Sequence, residues 1–171
     1  MPRLLPVLTA ALLALAACDA GPAVNKEGVY KIRASDKADI QYRMLDSVNA
    51  LRQGAGVAPL QLSSSLNAAA ASHAKDMSRQ QRAWPFGSDG SSPYDRIARA
   101  GYNGQLVAEV YAQTFETELE VLAAWVDDGA WGKEILSPDA NEMGFAWQQD
   151  NSGLIWWSIT LGKAGFGGIS S

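Results

Sequence analysis

The chain has 171 residues, of which 14 are Lys or Arg and 18 are Asp or Glu, so its formal net charge is −4. An acidic chain without a basic cluster is a poor candidate for binding nucleic acid or anionic lipid headgroups, and we expect no nucleic-acid partner. A single cysteine excludes an intramolecular disulfide, and the length suits one domain that is held by its own core.

The first residues predict an export signal. Residues 1–3 give a short basic start, residues 4–17 are apolar apart from Thr9, and Cys18 follows at once. This pattern is typical of a secretory signal, and the apolar run is too short for a comfortable membrane-spanning helix.

The sequence Leu-Ala-Ala-Cys at residues 15–18 resembles the cleavage box of bacterial lipoproteins, in which the cysteine becomes the first mature residue and is acylated. We therefore expect residues 1–17 to be a lipoprotein signal peptide. Acylated Cys18 would then hold the protein on the extracytoplasmic side of a bacterial membrane, in the cell envelope. The alternative is an ordinary signal followed by a free thiol. Asp19 resembles a retention signal and favours the inner membrane.

The rest of the chain divides by composition. Residues 18–38 mix Gly, Pro, Asn and Lys with few large apolar side chains, and we interpret them as a lipidated tether with a short extended piece at residues 28–32. Residues 39–163 should form the folded domain, and residues 164–171 should form a flexible tail.

Two helices are predicted at the start of the domain. The first should begin near Ser35 or Asp36 and end at Gly54. Its apolar stripe consists of Ile40, Met44, Val48 and Leu51. The second helix, capped by Ser63 or Ser64, should bury a face that consists of Leu66, Ala69, Ala70, His73 and Met77.

The middle of the chain alternates loops with short elements. Residues 80–92 predict a loop, and Pro93 suits the first turn of a third helix that reaches Ala100. A strand is expected at residues 106–111. The next helix should span Thr117–Val126 and face inward with Leu119, Leu122 and Val126.

The end of the domain is predicted to be a strand pair. Residues 129–132 should be irregular, and the strands at residues 143–148 and 154–161 are joined through a hairpin signal at residues 150–153. Adjacent positions on a strand face opposite sides, so one of Trp156 and Trp157 should face the core and the other the far side. Helices and strands in this order favour an α+β layered domain.

Short motifs run in a fixed order through most of this domain. Together they resemble the CAP superfamily, the SCP or PR-1-like domain, in a bacterial member that spans residues 39–163. The motifs are Asn-Ala-Leu-Arg at 49–52, Gly-Val-Ala-Pro-Leu at 56–60, the helical run 70–77, Gly-Ser-Asp-Gly-Ser-Ser-Pro-Tyr-Asp-Arg at 87–96, Gly-Tyr at 101–102, Ala-Glu at 108–109, Ala-Trp at 124–125, Ile-Leu at 135–136 and Glu-Met-Gly-Phe at 142–145.

The resemblance implies an α–β–α sandwich with a central antiparallel sheet and a surface cleft. In many members two histidines and acidic residues meet in that cleft and can hold a divalent metal. The known roles are diverse and include sterol or fatty-acid binding, cell-wall and defence functions and signalling, and enzymatic activity is not a general property.

When the cleft of these family members is matched onto this chain, neither of its two histidine positions holds a histidine. The loop position falls on or next to Pro85, and the second position falls at or near Trp131. The glutamate position is kept as Glu109, and Asp128, or its neighbour Asp127, lies near another acidic position. Zinc is held by several N, S or O ligands, imidazole prominent among them, so we predict neither a metal nor any other cofactor at this cleft.

Most of the remaining candidates have a structural interpretation. His73 is the only imidazole in the chain, and on the apolar face of its helix it is a hydrogen-bonded core residue more often than a general base. No serine lies in a nucleophile elbow, so we reject a Ser-His-Asp triad. Asp95 lies near a helix start, and we interpret Asp95 and Arg96 as structural.

Two functional interpretations remain open. The first is that Trp84 and Trp131 turn the former metal cleft into an apolar or stacking surface, although they could equally plug it. The second is that Glu109 acts as an acid or base with a second carboxylate, Asp128 or Glu142. A structural role for Glu109 as a hydrogen-bond acceptor from loop backbone is the simpler alternative.

The sequence therefore favours an exported, lipid-anchored binding or interaction module with a degenerate metal cleft. Its ligand cleft would consist of Trp84, Pro85, Glu109, Asp128 and Trp131, and its ligand would be a lipid, a glycan or a protein partner of the envelope. The alternatives are a metal-independent hydrolase that uses Glu109 and a purely structural envelope protein.

Overall fold

The computed structural model describes residues 30–165. The expectations for the signal peptide, for Cys18 and Asp19 and for the end of the tail lie outside these residues. Within them, a 3-10 turn at Ala34–Asp36 leads into five helices and four strands. The helices are α1 (Lys37–Gly54), α2 (Ser64–Gln80), α3 (Pro93–Arg99), α4 (Glu118–Asp127) and α5 (Ala130–Ile135), and the strands are β1 (Gln61–Leu62), β2 (Gln105–Gln113), β3 (Glu142–Gln149) and β4 (Ile155–Lys163).

The strands form one sheet in the order β1, β3, β4, β2, so β4 lies between two long partners. β4 is antiparallel to both, with Thr160 opposite Glu109 of β2 on one side and opposite Gly144 of β3 on the other. β1 pairs with β3 in parallel. The sequence analysis placed no strand at β1, because two residues carry no periodicity of their own. The predicted antiparallel sheet is otherwise confirmed.

Helices cover both faces of this sheet. Trp157 packs in the main core together with residues of α1, α4 and α5, whereas Trp156 packs on the other face against Ala74 and Met77 of α2. Successive side chains on a strand alternate between faces, so both tryptophans are buried, on opposite sides of β4. The predicted α–β–α sandwich is confirmed.

Helix α2 lies directly on β3. A Cβ atom added at Gly144 would fall 2.0 Å from the backbone carbonyl carbon of Leu66, which is closer than any two such atoms can approach. The predicted buried face of α2 is confirmed, and Ser63 caps the helix by accepting from the backbone N–H of Leu66. The missing side chain at residue 144 is therefore what allows this helix to rest on the sheet.

The predicted stripe of α1 is wrong at one position. Leu51 is 37 % exposed, whereas the next residue, Arg52, is fully buried. The Arg52 guanidinium donates to the carbonyls of Ala58, Ile135 and Ala140 at 2.7, 2.8 and 3.0 Å, and also to that of Ser137. Buried charge is tolerated where its N–H groups have acceptors, so an arginine takes the inward position at this end of the helix.

Two predictions after residue 117 also need correction. Leu119 was expected to face inward but is 49 % exposed, and Val121 is fully buried instead. Residues 129–132 were expected to be irregular, but α5 begins at Ala130. The glycines at positions 129 and 132 hid this helix, since glycine has a low helix propensity. Among the described helices, none combines the length and apolar character needed to cross a bilayer.

Candidate functional site

A buried polar cluster lies where α2, α3 and β2 meet under the loop of residues 81–92, which we call the aromatic loop. It consists of His73 from α2, Arg96 from α3, Glu109 from β2 and Ser158 from β4, which are brought together by elements far apart in sequence. His73 and Ser158 are fully buried, and the Arg96 and Glu109 side chains are 1 % and 3 % exposed.

Arg96 binds Glu109 with two nitrogens. Its Nε donates to Glu109 Oε2 at 3.3 Å and its Nη2 donates to Oε1. The same guanidinium also donates to the carbonyls of Pro85 at 2.7 Å and Ser91 at 3.2 Å. Both carboxylate oxygens are thus engaged, and one side chain ties β2 to the aromatic loop.

His73 holds the neighbouring residue of the aromatic loop. Its Nε2 lies 2.9 Å from the carbonyl oxygen of Trp84, so Nε2 carries the hydrogen, because a carbonyl only accepts. Its Nδ1 faces two groups, Ser158 Oγ at 3.3 Å and Glu109 Oε1 at 3.1 Å. A Ser-His-acid relay needs the serine and the acid on different ring nitrogens, and this geometry does not provide it.

Burial shifts the pKa values of Glu109 and His73 in opposite directions. Burial raises the pKa of Glu109 to about 7, against the opposing effect of the Arg96 charge and its hydrogen bonds. Burial lowers the pKa of His73 to about 4, and the positive charge of Arg96 adds to this effect. His73 is therefore neutral at pH 7 and is held as a hydrogen-bonded core residue.

The aromatic loop presents an ordered surface above this cluster. Gln80 accepts from the Trp84 indole N–H at 3.0 Å and donates to the Phe86 carbonyl at 3.1 Å. The guanidinium carbon of Arg82 lies 4.3 Å from the Trp84 ring centroid, and the Phe86 ring meets Trp84 edge-on at 5.4 Å. Phe86 is 44 % exposed. Side chains and backbone together hold this loop in one arrangement.

Trp131 reaches the same cluster through an aromatic contact. Its ring centroid lies 5.7 Å from that of Tyr111, whose ring lies 5.0 Å from the His73 ring. Trp131 is half-buried on α5, beside the edge strand β2. Pro85 is therefore linked to Glu109 through Arg96, whereas Trp131 contacts Tyr111 and is separated from His73 by that ring.

The two carboxylates proposed as partners of Glu109 bind elsewhere. Asp128 is exposed at the end of α4, and its Oδ1 lies 3.4 Å from the backbone nitrogen of Trp131. Glu142 accepts from the hydroxyl of Tyr102 at 2.8 Å. The described contacts of Glu109 are with Arg96 and His73, so it accepts from a side chain and not from loop backbone as the sequence suggested.

Asp95 and Arg96 are adjacent in sequence but serve different elements. Asp95 forms a capping box with Ser92, since the Asp95 carboxylate accepts from the Ser92 backbone N–H at 2.8 Å and the Ser92 hydroxyl accepts from the Asp95 N–H. Arg96 points inward to Glu109. Neighbouring residues on a helix do not face each other, and no local pattern in the sequence pairs Arg96 with β2.

The donor set does not fit a metal ion. Within residues 30–165, no group of three or more His, Cys, Asp or Glu side chains is placed to hold one. Pro85 and Trp131 supply no side-chain ligand, and the Pro85 carbonyl is occupied by Arg96. Both oxygens of Glu109 are likewise bound by that arginine.

Sequence reasoning missed three members of this region, Tyr111, Ser158 and Thr160. Strand alternation could have found them, because Tyr111 shares a face with Glu109, and Ser158 and Thr160 share a face with Trp156. Thr160 stands opposite Glu109, and its buried hydroxyl has no hydrogen-bond partner among the described residues. Arg82 was also missed, since nothing in the sequence indicates that it stacks on Trp84.

Comparison with known proteins gives a consistent match. A family model described as the cysteine-rich secretory protein family, CAP, matches residues 45–160. The uncharacterized protein YkwD of Bacillus subtilis strain 168 is 28 % identical over 121 residues, which are 71 % of this chain and 46 % of YkwD. The matched part of this chain thus spans less than half the length of that curated relative.

Solved structures share the fold at low identity. An outer surface protein from Borrelia burgdorferi superimposes with a TM-score of 0.70 at 18 % identity, covering 80 % of this chain and 99 % of the Borrelia chain. An extracellular protein containing a SCP domain from Bacillus anthracis strain Ames gives 0.69 at 15 % identity, covering 78 % of this chain and 44 % of that one. At these identities the likeness concerns the fold.

Proposed function

The chain belongs to the cysteine-rich secretory protein (CAP) family, and on that premise we propose that it is an exported, membrane-anchored module that binds a protein partner of the cell envelope. The recognition surface is the aromatic loop with Arg82, Trp84 and Phe86, extended by Trp131. Two similar structures are described as an outer surface protein and an extracellular protein, which supports an extracytoplasmic location.

The observation that carries this proposal is that contacts within the protein hold an exposed aromatic surface in one arrangement. Tryptophan and arginine are enriched among the residues that dominate protein–protein affinity. Here Arg82 already covers one face of Trp84, and Gln80 occupies its indole N–H. A surface held in place before binding loses less conformational entropy on association. The same contacts leave less of the Trp84 ring free to stack on a sugar.

The hydrolase alternative has less support. A substrate would have to reach Glu109, whose side chain is 3 % exposed and bound by Arg96. Asp128 and Glu142, its suggested partners, are engaged with other groups. The high pKa of Glu109 follows from burial and needs no catalytic role.

A photo-crosslinking amino acid placed at residue 86 of the full-length protein in its native cells tests the proposed surface. We expect one discrete adduct that disappears when Trp84→Ala is added. The same probe at Tyr42, which is 59 % exposed on α1 in the opposite layer, is the matched control and should give no such adduct. Equal adducts at both positions, or none at residue 86, would contradict the proposal.

Tryptophan fluorescence separates small ligands from a protein partner. Fatty acids, sterols and peptidoglycan fragments should leave the emission of the purified domain unchanged. A saturable shift that is lost in Trp84→Phe would instead assign the surface to a small ligand. The six tryptophans of the chain make that variant a necessary reference.

Membrane attachment rests on Cys18 and is tested separately. Acyl chains stabilise membrane binding by roughly 0.8 kcal/mol per buried methylene, so two or more chains hold a protein firmly. Cys18→Ser should release the protein into the soluble fraction or block its processing, while the aromatic loop stays intact. Unchanged membrane retention of Cys18→Ser would exclude this anchor.

A further inference from the structure

We propose that the outer edge of β2, at residues 109–113, binds an extended segment of the partner protein, which joins the sheet as a further strand. The segment is recognised mainly through its main chain and carries Lys or Arg side chains. This inference rests on the proposed function, because it states how the partner of the aromatic loop is held.

The main chain of β2 turns away from the sheet at every second residue. The N–H of Thr114, directly after the strand, donates to the Ile155 carbonyl of β4 at 3.3 Å. In an antiparallel pair the N–H and C=O of one residue face the same side, and that side alternates along the strand. The register with β4 has no shift over residues 108–113. The residues that direct both main-chain groups outward are therefore Glu109, Tyr111 and Gln113.

These outward groups have no hydrogen-bond partner within residues 30–165. The exposure of Glu109 points the same way. Its side chain is 3 % exposed, yet the residue as a whole is only half-buried, so its accessible surface belongs largely to its main chain. Unpaired N–H and C=O groups along an edge strand form a template for pairing with another chain.

The same sheet closes its other side with its own groups. The Met143 carbonyl of β3 accepts from the backbone N–H of Ser63 at 2.9 Å. The N–H of Phe145 donates to the Asn67 side chain at 2.8 Å, and its carbonyl accepts from the Gln41 side chain at 2.7 Å. Cover of this kind protects a strand from unwanted pairing. Among the described contacts, the outward groups of β2 receive no such cover.

The edge of β2 is continuous with the proposed recognition surface. Helix α5 packs through Ile135 into the main core on one face of the sheet, whereas Tyr111 packs on the other face near Met77. The Trp131 ring of α5 nevertheless lies 5.7 Å from the Tyr111 ring, so this contact passes around the edge of β2. A strand added to β2 would lie beside Trp131, and one partner could contact both the edge and the aromatic loop.

Charge favours a basic partner over a second copy of the chain. Asp128 is exposed beside the Trp131 backbone, and the exposed Asp139 lines a surface depression with Gln105 and Lys163 at the start of β2. Two carboxylates and one ammonium group thus flank the edge, and the whole chain has a net charge of −4. Pairing of two copies through β2 would bring their Trp131 rings and Asp128 carboxylates to one seam, where like charges repel.

Amide hydrogen exchange of the purified full-length protein tests the edge without any substitution. The three outward amides should exchange on the order of a hundredfold faster than those of Val110 and Ala112, which face β4. Equal protection of both sets would overturn the inference, because the edge would already be covered. Protection of the outward amides that rises with protein concentration would assign the edge to a second copy and would also overturn it.

Proline at residue 113 tests the partner in native cells. Gln113→Pro removes an outward N–H and places a ring on the edge, while the ladder with β4 stays intact, so the domain should remain folded. With the photo-crosslinking amino acid at residue 86, the adduct yield should fall roughly tenfold. Ser64→Pro is the matched control, because it places proline at the exposed first residue of α2, and it should keep the yield.

A charge reversal gives a second variant that does not alter the main chain. Asp128→Lys should lower the adduct yield roughly threefold, whereas Asp46→Lys, the same change at an exposed position of α1, should not. Equal yields in these two variants would contradict a basic partner. An adduct at residue 86 that Gln113→Pro leaves unchanged would overturn the added strand but keep the proposed function, whereas the lack of any adduct at residue 86 would contradict the proposed function itself.

Discussion

Arg96 and Glu109 form a buried ion pair that joins α3 to β2, with Arg96 Nε 3.3 Å from Glu109 Oε2 and Nη2 bound to Oε1. The side chains are 1 % and 3 % exposed, so neither charge can turn to water if the other is removed. Arg96 also donates a hydrogen bond to the Pro85 carbonyl in the aromatic loop. Sheet, helix and loop therefore depend on one contact.

Removing one partner of this pair should destabilise the domain strongly. Arg96→Met leaves Glu109 and two loop carbonyls without donors, and we expect a loss of about 3–5 kcal/mol in the free energy of unfolding. Arg99→Met is the matched control, since Arg99 pairs with Asp89 at the surface, where the side chains are 61 % and 50 % exposed. There we expect a much smaller loss, because water replaces the lost contact at an exposed site. Similar losses in urea unfolding at pH 7 would show that the buried pair has no special weight.

The contact of α2 with β3 should tolerate no side chain at residue 144. Gly144→Ala places a Cβ atom 2.0 Å from Leu66 backbone, which cannot move without lifting the helix, and we expect a loss of roughly 3 kcal/mol or more. Gly54→Ala makes the same change where nothing lies within 4 Å, and it should be neutral or stabilising by up to about 1 kcal/mol. Thermal unfolding of both variants decides the point, and a stable Gly144→Ala protein would mean that α2 lies farther from the sheet.

The buried hydroxyl of Thr160 should not be needed for the stability of the fold. Thr160→Val keeps the shape of the side chain and removes a buried group that has no hydrogen bond among the described residues, so we expect stabilisation of roughly 1 kcal/mol. Ser158→Ala, two residues earlier on the same face, removes a partner of His73 and should be destabilising. A loss of stability in Thr160→Val would reveal a bound water or another partner of that hydroxyl.

The region around Pro85, Glu109 and Trp131 should not take up zinc. Calorimetric titration of the purified domain is expected to show no saturable heat, because Pro85 and Trp131 supply no ligand and Arg96 occupies Glu109. The double variant Pro85→His/Trp131→His adds an imidazole at both positions and is the comparison protein, in which any saturable heat would come from the added ligands. Stoichiometric binding of zinc by the wild-type chain would refute the prediction.

Much of the fold could be predicted because its elements are marked locally. Helix α2 has a recognisable cap at Ser63 and a buried face marked by a periodic row of apolar residues, and both are confirmed. The errors on α1 and α4 have a common cause. Periodicity gives the direction of an apolar stripe but not how far neighbouring elements cover it, so Leu51 and Leu119 were placed inside although both are exposed.

The site was harder to predict because it is made of contacts between distant segments. The sequence suggested that Pro85, Glu109 and Trp131 share a region, and the resemblance to a known domain supplied that suggestion. It did not show that Arg96 links the first two or that Tyr111 connects the third to His73. Such pairings depend on register and packing, which a single sequence does not encode in readable form.

The position of β4 has a consequence for how the domain is made. This strand is the last of the described elements in chain order, yet it occupies the middle of the sheet and is buried along nearly its whole length. A chain that emerges amino terminus first, from a ribosome or through a secretion channel, holds β2 and β3 apart until β4 arrives. Assembly must therefore wait for synthesis of the domain to finish, and until then its uncovered interior is open to chaperones and proteases.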